Sequence, residues 1–247
     1  MKQSTLKLTQ LALFSALITA MTFIPYVGYI TIGASLSITT LHIPVIIGAV
    51  LLGKVSGTVL GTVWGVTCLI YAALNGTADA VIFLNPMISV VPRIFVGLLT
   101  AVYYDIAIKL GKDKFSGIVL SGIMDAVVSI FVGLFVYRLS GNTLAGLIAG
   151  VVFFAAVMAL ILVFSKKLNQ ITVMPIAFAA ILGTFTNTVL VLTAINIFNP
   201  TGFVQLTGIV GQIFSVVITL NGVVEMLAAI FVAVPCVSAL QRAQKRL

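Results

Sequence analysis

Along the 247 residues, long apolar runs alternate with short polar connections. The runs fall at about 8–25, 41–53, 55–74, 89–110, 116–138, 143–165, 174–198 and 212–240. Most come close to the roughly 20 residues that carry an α-helix across a bilayer. The run at 41–53 is shorter and is expected to pack inside the bundle. Lipid offers backbone groups no hydrogen-bond partners, so only helices or closed barrels can span it. Runs such as Leu144 to Val163 lack the polar–apolar alternation of barrel strands. The expected fold is therefore an all-α membrane protein: a polytopic helical bundle of about eight apolar segments, in a single transmembrane domain over 1–247. Two connections stand out. Residues 26–40 alternate apolar with small or hydroxyl residues, the pattern of a short extended or hairpin loop capping the outer face. Residues 75–88 begin polar and end apolar, so this loop is expected to fold back into the protein.

Composition supports the membrane reading. Apolar residues make up 61% of the chain and charged residues 7%, where a soluble domain carries about a quarter charged. The placement of the basic residues predicts orientation, because Lys and Arg are retained on the cytoplasmic side. Lys2 and Lys7 precede the first run, Lys54 follows the second, and Lys109, Lys112 and Lys114 follow the fourth. Lys166 and Lys167 follow the sixth, and Arg242, Lys245 and Arg246 close the chain. That places 11 of the 13 basic residues on every second connection. Both termini are expected in the cytoplasm, in a bacterial-type cell membrane. Eight spans fit every connection, and six plus a re-entrant hairpin have the same parity. The basic start and apolar run resemble the layout of a signal peptide. No small-x-small cleavage site in a polar setting follows, so the segment is read as a retained first span.

Several classes are disfavoured. The net charge of +8 is scattered at membrane edges, where anionic lipid attracts it, rather than gathered for nucleic acid. Cys68 and Cys236 lie in apolar runs and form no spaced metal or disulfide framework. No Walker loop, no H-E-x-x-H and no G-x-S-x-G is present, so neither ATP hydrolysis nor an embedded hydrolase is supported, and no catalytic residue, metal or cofactor is expected. Transport, or substrate capture for transport, is the better class.

Candidate site residues are the polar groups left inside apolar segments, where ionisable residues are functional by default. Arg93 lies one turn into the fourth run, near Asn85, Pro86, Ser89 and Pro92. Its fork suits a carboxylate or phosphate; the alternatives are snorkelling or an internal ion pair. Asn187 sits near the middle of the seventh run as a ligand contact or an interhelical clamp. Asn221 and Glu225, four apart, share one face of the last run. Glu225 is read as a ligand acceptor, a protonated acid or the partner of Arg93. Asp125, mid-run in the fifth segment, either relays protons or bonds a neighbouring hydroxyl. His42, just before Pro44, is a capping or packing residue or a ligand. Trp64 and Tyr71, about two turns apart, either stack on an organic ligand or belong to an interfacial belt. Small residues recur every four positions at Ala12, Ala16 and Ala20 and again at Gly53, Gly57, Gly61 and Gly65. Such faces let another helix approach closely, within this chain or from another membrane protein.

Three stretches carry a resemblance: Ile38 to Ala49, Phe83-Leu84-Asn85-Pro86 with Val91-Pro92-Arg93, and Gly183 to Leu192. They resemble the substrate-binding S components of energy-coupling factor (ECF) vitamin transporters, and within that family the pantothenate-type members. The stripe Ala12, Ala16 and Ala20 resembles the face by which the family docks on its coupling subunit. The resemblance covers about 1–112 and 170–247. The family usually has six spans, so residues 115–167 are expected to be an inserted hairpin of two.

The resemblance implies a subunit that captures a water-soluble vitamin in its outer half. It would then associate with a transmembrane coupling subunit and two ATPase subunits and tilt in the membrane to release substrate inside. For pantothenate, Arg93 would meet the carboxylate and Asn187 the hydroxyls or amide, with Asn85, Asn221 and Glu225 completing the polar set and Trp64, Tyr71 and His42 beside them. The rival readings are an S component for a pyridoxine-type vitamin or thiamine precursor, a lone proton-coupled permease using Asp125 and Glu225, and a non-transporting assembly factor.

Overall fold

A computed structural model describes residues 2–32, 36–75, 81–110, 140–164, 170–199 and 211–244, with 119, 122, 123, 125, 126, 128–130, 132, 133, 136 and 137. In chain order the elements are α1 (Lys2–Phe23), β1 (Tyr29–Ile32), β2 (Leu36–Thr39), α2 (His42–Leu52), α3 (Lys54–Asn75), α4 (Pro86–Ser89), α5 (Val91–Leu110), α6 (Thr143–Phe164), α7 (Gln170–Phe198) and α8 (Gly211–Gln244). The described residues between 119 and 140 are helical as well. Among the described residues five helices are long and apolar enough to cross a membrane: Ser4–Phe23, Lys54–Asn75, Pro86–Leu110, Val173–Phe198 and Val224–Ala243. Large apolar side chains such as Leu13, Val55, Leu147 and Phe231 stand exposed on the outside, as a surface facing lipid requires. The chain is a multi-pass helical membrane protein.

The short second run is the centre of the bundle. α2 touches α1, α3, α5, α7 and α8, and every residue from His42 to Val50 is buried. Its Ile43, Ile46, Ile47 and Val50 pack with Ile176, Ala179 and Ala180 of α7 and with Ala229, Ala233 and Val237 of α8. Val45 joins Ile18 of α1, Leu60, Trp64 and Cys68 of α3, and Val96 of α5 in a second cluster. At 11 residues, α2 is about 16 Å long, near half of the hydrocarbon thickness. The β-hairpin leads into it and reaches α8 near its middle, where Glu225 bonds Thr39. Non-helical backbone at such depth is tolerated only when enclosed by protein. α2 ends at Gly53, whose φ of +88° is a conformation that side chains disfavour, and α3 starts on the next residue.

The two small-residue stripes part ways. Gly57 and Gly61 of α3 are buried against α5, and Gly65 against Ser89 of α4 and Val90. A Cβ on Gly61 would collide with the carbonyl oxygen of Arg93, and one on Gly97 with the carbonyl oxygen of Gly57. This stripe serves internal packing and brings two backbones into contact. Ala12, Ala16 and Ala20 are all exposed on α1. At one end of the bundle Lys54 and Asp105 form an ion pair at 3.0 Å, and Gln241 donates to Tyr104 at 2.8 Å. Both interactions tie α5 to its neighbours at the opposite end from the hairpin.

Overpacking a well-filled interior costs about 1–3 kcal/mol. Gly61→Val meets backbone rather than a movable side chain, so it is expected at the top of that range. Melting of the purified protein in detergent should show a clear fall for Gly61→Val and none for the exposed Ala16→Val. Equal melting temperatures would mean that α3 and α5 are not seated backbone on backbone.

Candidate functional site

The charge that has to be accommodated is Arg93. It sits one turn into α5, only 6% exposed. Its Nη1 donates to the carbonyl of Ile88 at 2.6 Å, while Nε is buried without a partner. The guanidinium carbon lies 5.3 Å from the centre of the Trp64 ring and 5.4 Å from that of Phe83. Two aromatic faces and one carbonyl hold the cation. No carboxylate pairs with it among the described residues, where the ion pair is Lys54–Asp105. A buried cation normally has a counter-charge. A guanidinium with donors to spare inside an apolar wall is arranged to receive an anion.

Local sequence positions this group. Asn85 caps α4: its Oδ1 accepts from Met87 N at 3.0 Å, and Pro86 fills the first helical position. The cap sets the short helix whose Ile88 carbonyl meets Arg93. Val90 separates α4 from α5, and Pro92 falls in the first turn of α5, where a missing N–H costs the helix no hydrogen bond. The loop before α4 does fold back, as its apolar end requires: Ile82 and Phe83 pack with Ile88 of α4 and with Val191, Ala194 and Ile195 of α7. Asn187 is one turn from Val191 on the same face of α7. It is 8% exposed, with its Oδ1 unpartnered. Beside it Thr186 shares a hydrogen bond with Tyr103 of α5 at 3.1 Å, and Thr100 Oγ1 is buried without a partner.

Along one face of α3 the residues Trp64, Cys68 and Tyr71 follow at helical spacing. Trp64 is fully buried with Nε1 unpartnered. Tyr29 of β1 stacks on Tyr71 at 5.2 Å between centroids, and its Oη lies 2.9 Å from Cys68 Sγ. Tyr71 also meets Phe23 at 6.4 Å. A second polar group gathers around α2. His42 is completely buried, its imidazole lies against the backbone of Glu225 and Thr39, and neither ring nitrogen has a hydrogen-bond partner. Glu225 is 6% exposed and accepts from Thr39 N at 2.7 Å.

The structure thus joins Arg93 with Trp64, links Tyr71 to that pair through Tyr29 and Cys68, and sets His42 beside Glu225. Asn187 adjoins the Phe83–Ile88 cluster. Asn85 acts as a helix cap, and the cap signal is legible in Asn-Pro at 85–86. The side chain of Asn221 lies outside the described residues. Asp125 accepts from Ser129 Oγ at 3.3 Å, which is the neighbouring-hydroxyl reading. Sequence reasoning missed Phe83, Tyr29 and Thr39. Phe83 carried a signal in the apolar end of its loop, whereas Tyr29 and Thr39 act through partners distant in the chain.

Among the described residues two cavities bear on this arrangement. One of about 620 Å³ lies outside it, between 126–137 and α6, lined by residues such as Ile130, Gly133, Leu147 and Phe154. Among the described residues its wall is almost wholly apolar and carries no charge to recognise a water-soluble solute. The other, about 160 Å³, is lined by Phe23, Tyr26, Tyr29, Tyr71 and Asn75 and lies above the Arg93 cluster along α3.

Comparison with known proteins gives the family. Over 96 residues the chain is 34% identical to a pantothenate transporter, PanT, of Leuconostoc mesenteroides, covering 37% of this chain and 47% of that protein. Over 83 residues it is 36% identical to a pantothenic acid transporter, PanT, of Lactococcus lactis subsp. cremoris, covering 28% and 42%. The chain therefore spans somewhat less than half the length of these relatives. A family model described as "ECF transporter, substrate-specific component" matches residues 6–164, from α1 through the end of α6. With a fully apolar bundle surrounding a few buried polar groups, and with well over half its length matched, the chain belongs to the substrate-specific components of ECF transporters.

Proposed function

We propose that the protein captures a small anionic vitamin, pantothenate foremost, in a site built on Arg93. The observation that carries this reading is the buried guanidinium without a carboxylate partner among the described residues. Pantothenate offers a carboxylate, two hydroxyls and an amide. The carboxylate would take the free edge of Arg93. Asn187 Oδ1, Trp64 Nε1 and the His42 nitrogens are buried polar atoms suited to the hydroxyls and amide. Tyr71 and Phe83 would supply apolar walls. The relatives named for pantothenate transport support the substrate class. On the orientation that the basic residues predict, with both termini cytoplasmic, the site would fall in the outer half. Delivery inward would rely on a transmembrane coupling subunit and two ATPase subunits, as membership of the ECF family implies. The exposed face of Ala12, Ala16 and Ala20 is the proposed contact with the coupling subunit.

Calorimetry of the purified chain against a panel of water-soluble vitamins tests the reading. Pantothenate should bind, and Arg93→Ala should weaken it by roughly tenfold to a hundredfold, the worth of a charge-assisted hydrogen bond. Binding of a neutral vitamin with Arg93→Ala unaffected would discard the carboxylate assignment.

Asn85 gives a separate prediction. If it acts as a cap, Asn85→Ala should destabilise the protein by about 1 kcal/mol, whereas Asn85→Ser should retain both stability and binding. Loss of binding in Asn85→Ser at unchanged melting temperature would make Asn85 a ligand contact instead.

A further inference from the structure

We propose that Glu225 is a positioning residue that latches the cover of the binding site, holding the Tyr29–Thr39 rung of the β-hairpin closed over the Arg93–Trp64 cluster. The inference rests on the reading of that cluster as the vitamin site. Tyr29 and Thr39 are directly paired across the hairpin. One end of this rung is fixed to α3, where Tyr29 stacks on Tyr71 and meets Cys68. The other end is fixed to α8, where Thr39 N donates to Glu225 Oε1 at 2.7 Å. A single rung therefore bridges the two sides of the bundle.

Its position along α3 gives it a role. Asn75, Tyr71, Cys68 and Trp64 descend in that order, with the 160 Å³ cavity at the Tyr71–Asn75 end and Arg93 at the Trp64 end. The Tyr29 ring lies between them and forms part of the wall of the cavity. A solute moving along this face of α3 from the cavity toward Arg93 meets that ring. Two strands of four residues each are marginal by themselves, so the hairpin stays closed through its anchors. The Thr39 N–H belongs to no strand partner and is given to the buried carboxyl group of Glu225 in a short hydrogen bond. His42, three residues further on at the start of α2, lies against both Thr39 and Glu225.

The latch can be broken from either side. Glu225→Ala removes the acceptor, and Thr39→Pro removes the donor without altering Glu225. Glu225→Gln keeps an oxygen acceptor. Hydrogen exchange of the ligand-free protein in detergent, and association and dissociation rates of pantothenate followed by the fluorescence of Trp64 (the sole tryptophan), read the outcome. In Glu225→Ala and in Thr39→Pro the hairpin amides should exchange about tenfold faster or more. Both rates for pantothenate should rise by roughly threefold or more, with affinity changing less than either. Glu225→Gln should restore most of the slow exchange, and the double variant should be no faster than the single ones. Faster dissociation at an unchanged association rate would overturn the proposal and make Glu225 a ligand contact. Hairpin exchange equal to wild type in both single variants would overturn it as well. Failure of the wild-type protein to bind pantothenate would count against the proposed substrate instead, and the exchange measurement would still decide the latch.

Discussion

A guanidinium enclosed in an apolar bundle without a counter-charge among the described residues is the constraint on which the rest of this structure turns. Burying that charge uncompensated would be expensive, and several weaker interactions converge on it. The rings of Trp64 and Phe83 lend it their faces, and the Ile88 carbonyl takes one donor. Each depends on an unrelated piece of local chemistry. Phe83 is brought in by a loop whose second half is apolar. Ile88 is aimed by a four-residue helix that an asparagine cap and a proline define. Trp64 is brought close because Gly57, Gly61 and Gly97 let α3 lie directly on α5. The remaining donors of Arg93 are what the proposed ligand would satisfy.

The second constraint is the β-hairpin. Helices satisfy their own backbone, but a two-stranded hairpin leaves outward-facing amides unpaired along both edges. Within a membrane protein those groups need partners from the surrounding bundle. Glu225 supplies one to Thr39, and the hairpin in turn permits α2 to be short, buried on every side and in contact with five other helices. A carboxylate that sequence reasoning placed among the ligand groups is bonded to the chain itself.

How far the sequence led can be judged from particular residues. The apolar runs located every long helix, and the brevity of 41–53 correctly marked a helix that packs inside. The hairpin between α1 and α2 and the inward fold of the 75–88 loop were both legible from alternation and from a change in polarity. The Ala and Gly stripes were not distinguishable: both repeat every four residues, and only the tertiary arrangement shows one buried on α5 and the other exposed. Asn85 carried a readable cap signal that its proximity to Arg93 obscured. Thr39 and Glu225 could not have been paired in advance, because 186 positions separate them and backbone amides leave no mark in a sequence.

The contact of α3 with α5 has a mechanical corollary. Where backbone rests on backbone, no side chain remains to change rotamer, so this seam has little slack. Interiors packed to this density resist compression and transmit strain instead of absorbing it. The wall that carries Trp64 and Arg93 is accordingly stiff, whereas the roof above it is a two-stranded ribbon tied at a few points. Discrimination between solutes would then be written into the unyielding wall, and the tempo of exchange into the pliant roof. Substitutions could alter one of these properties while leaving the other almost untouched.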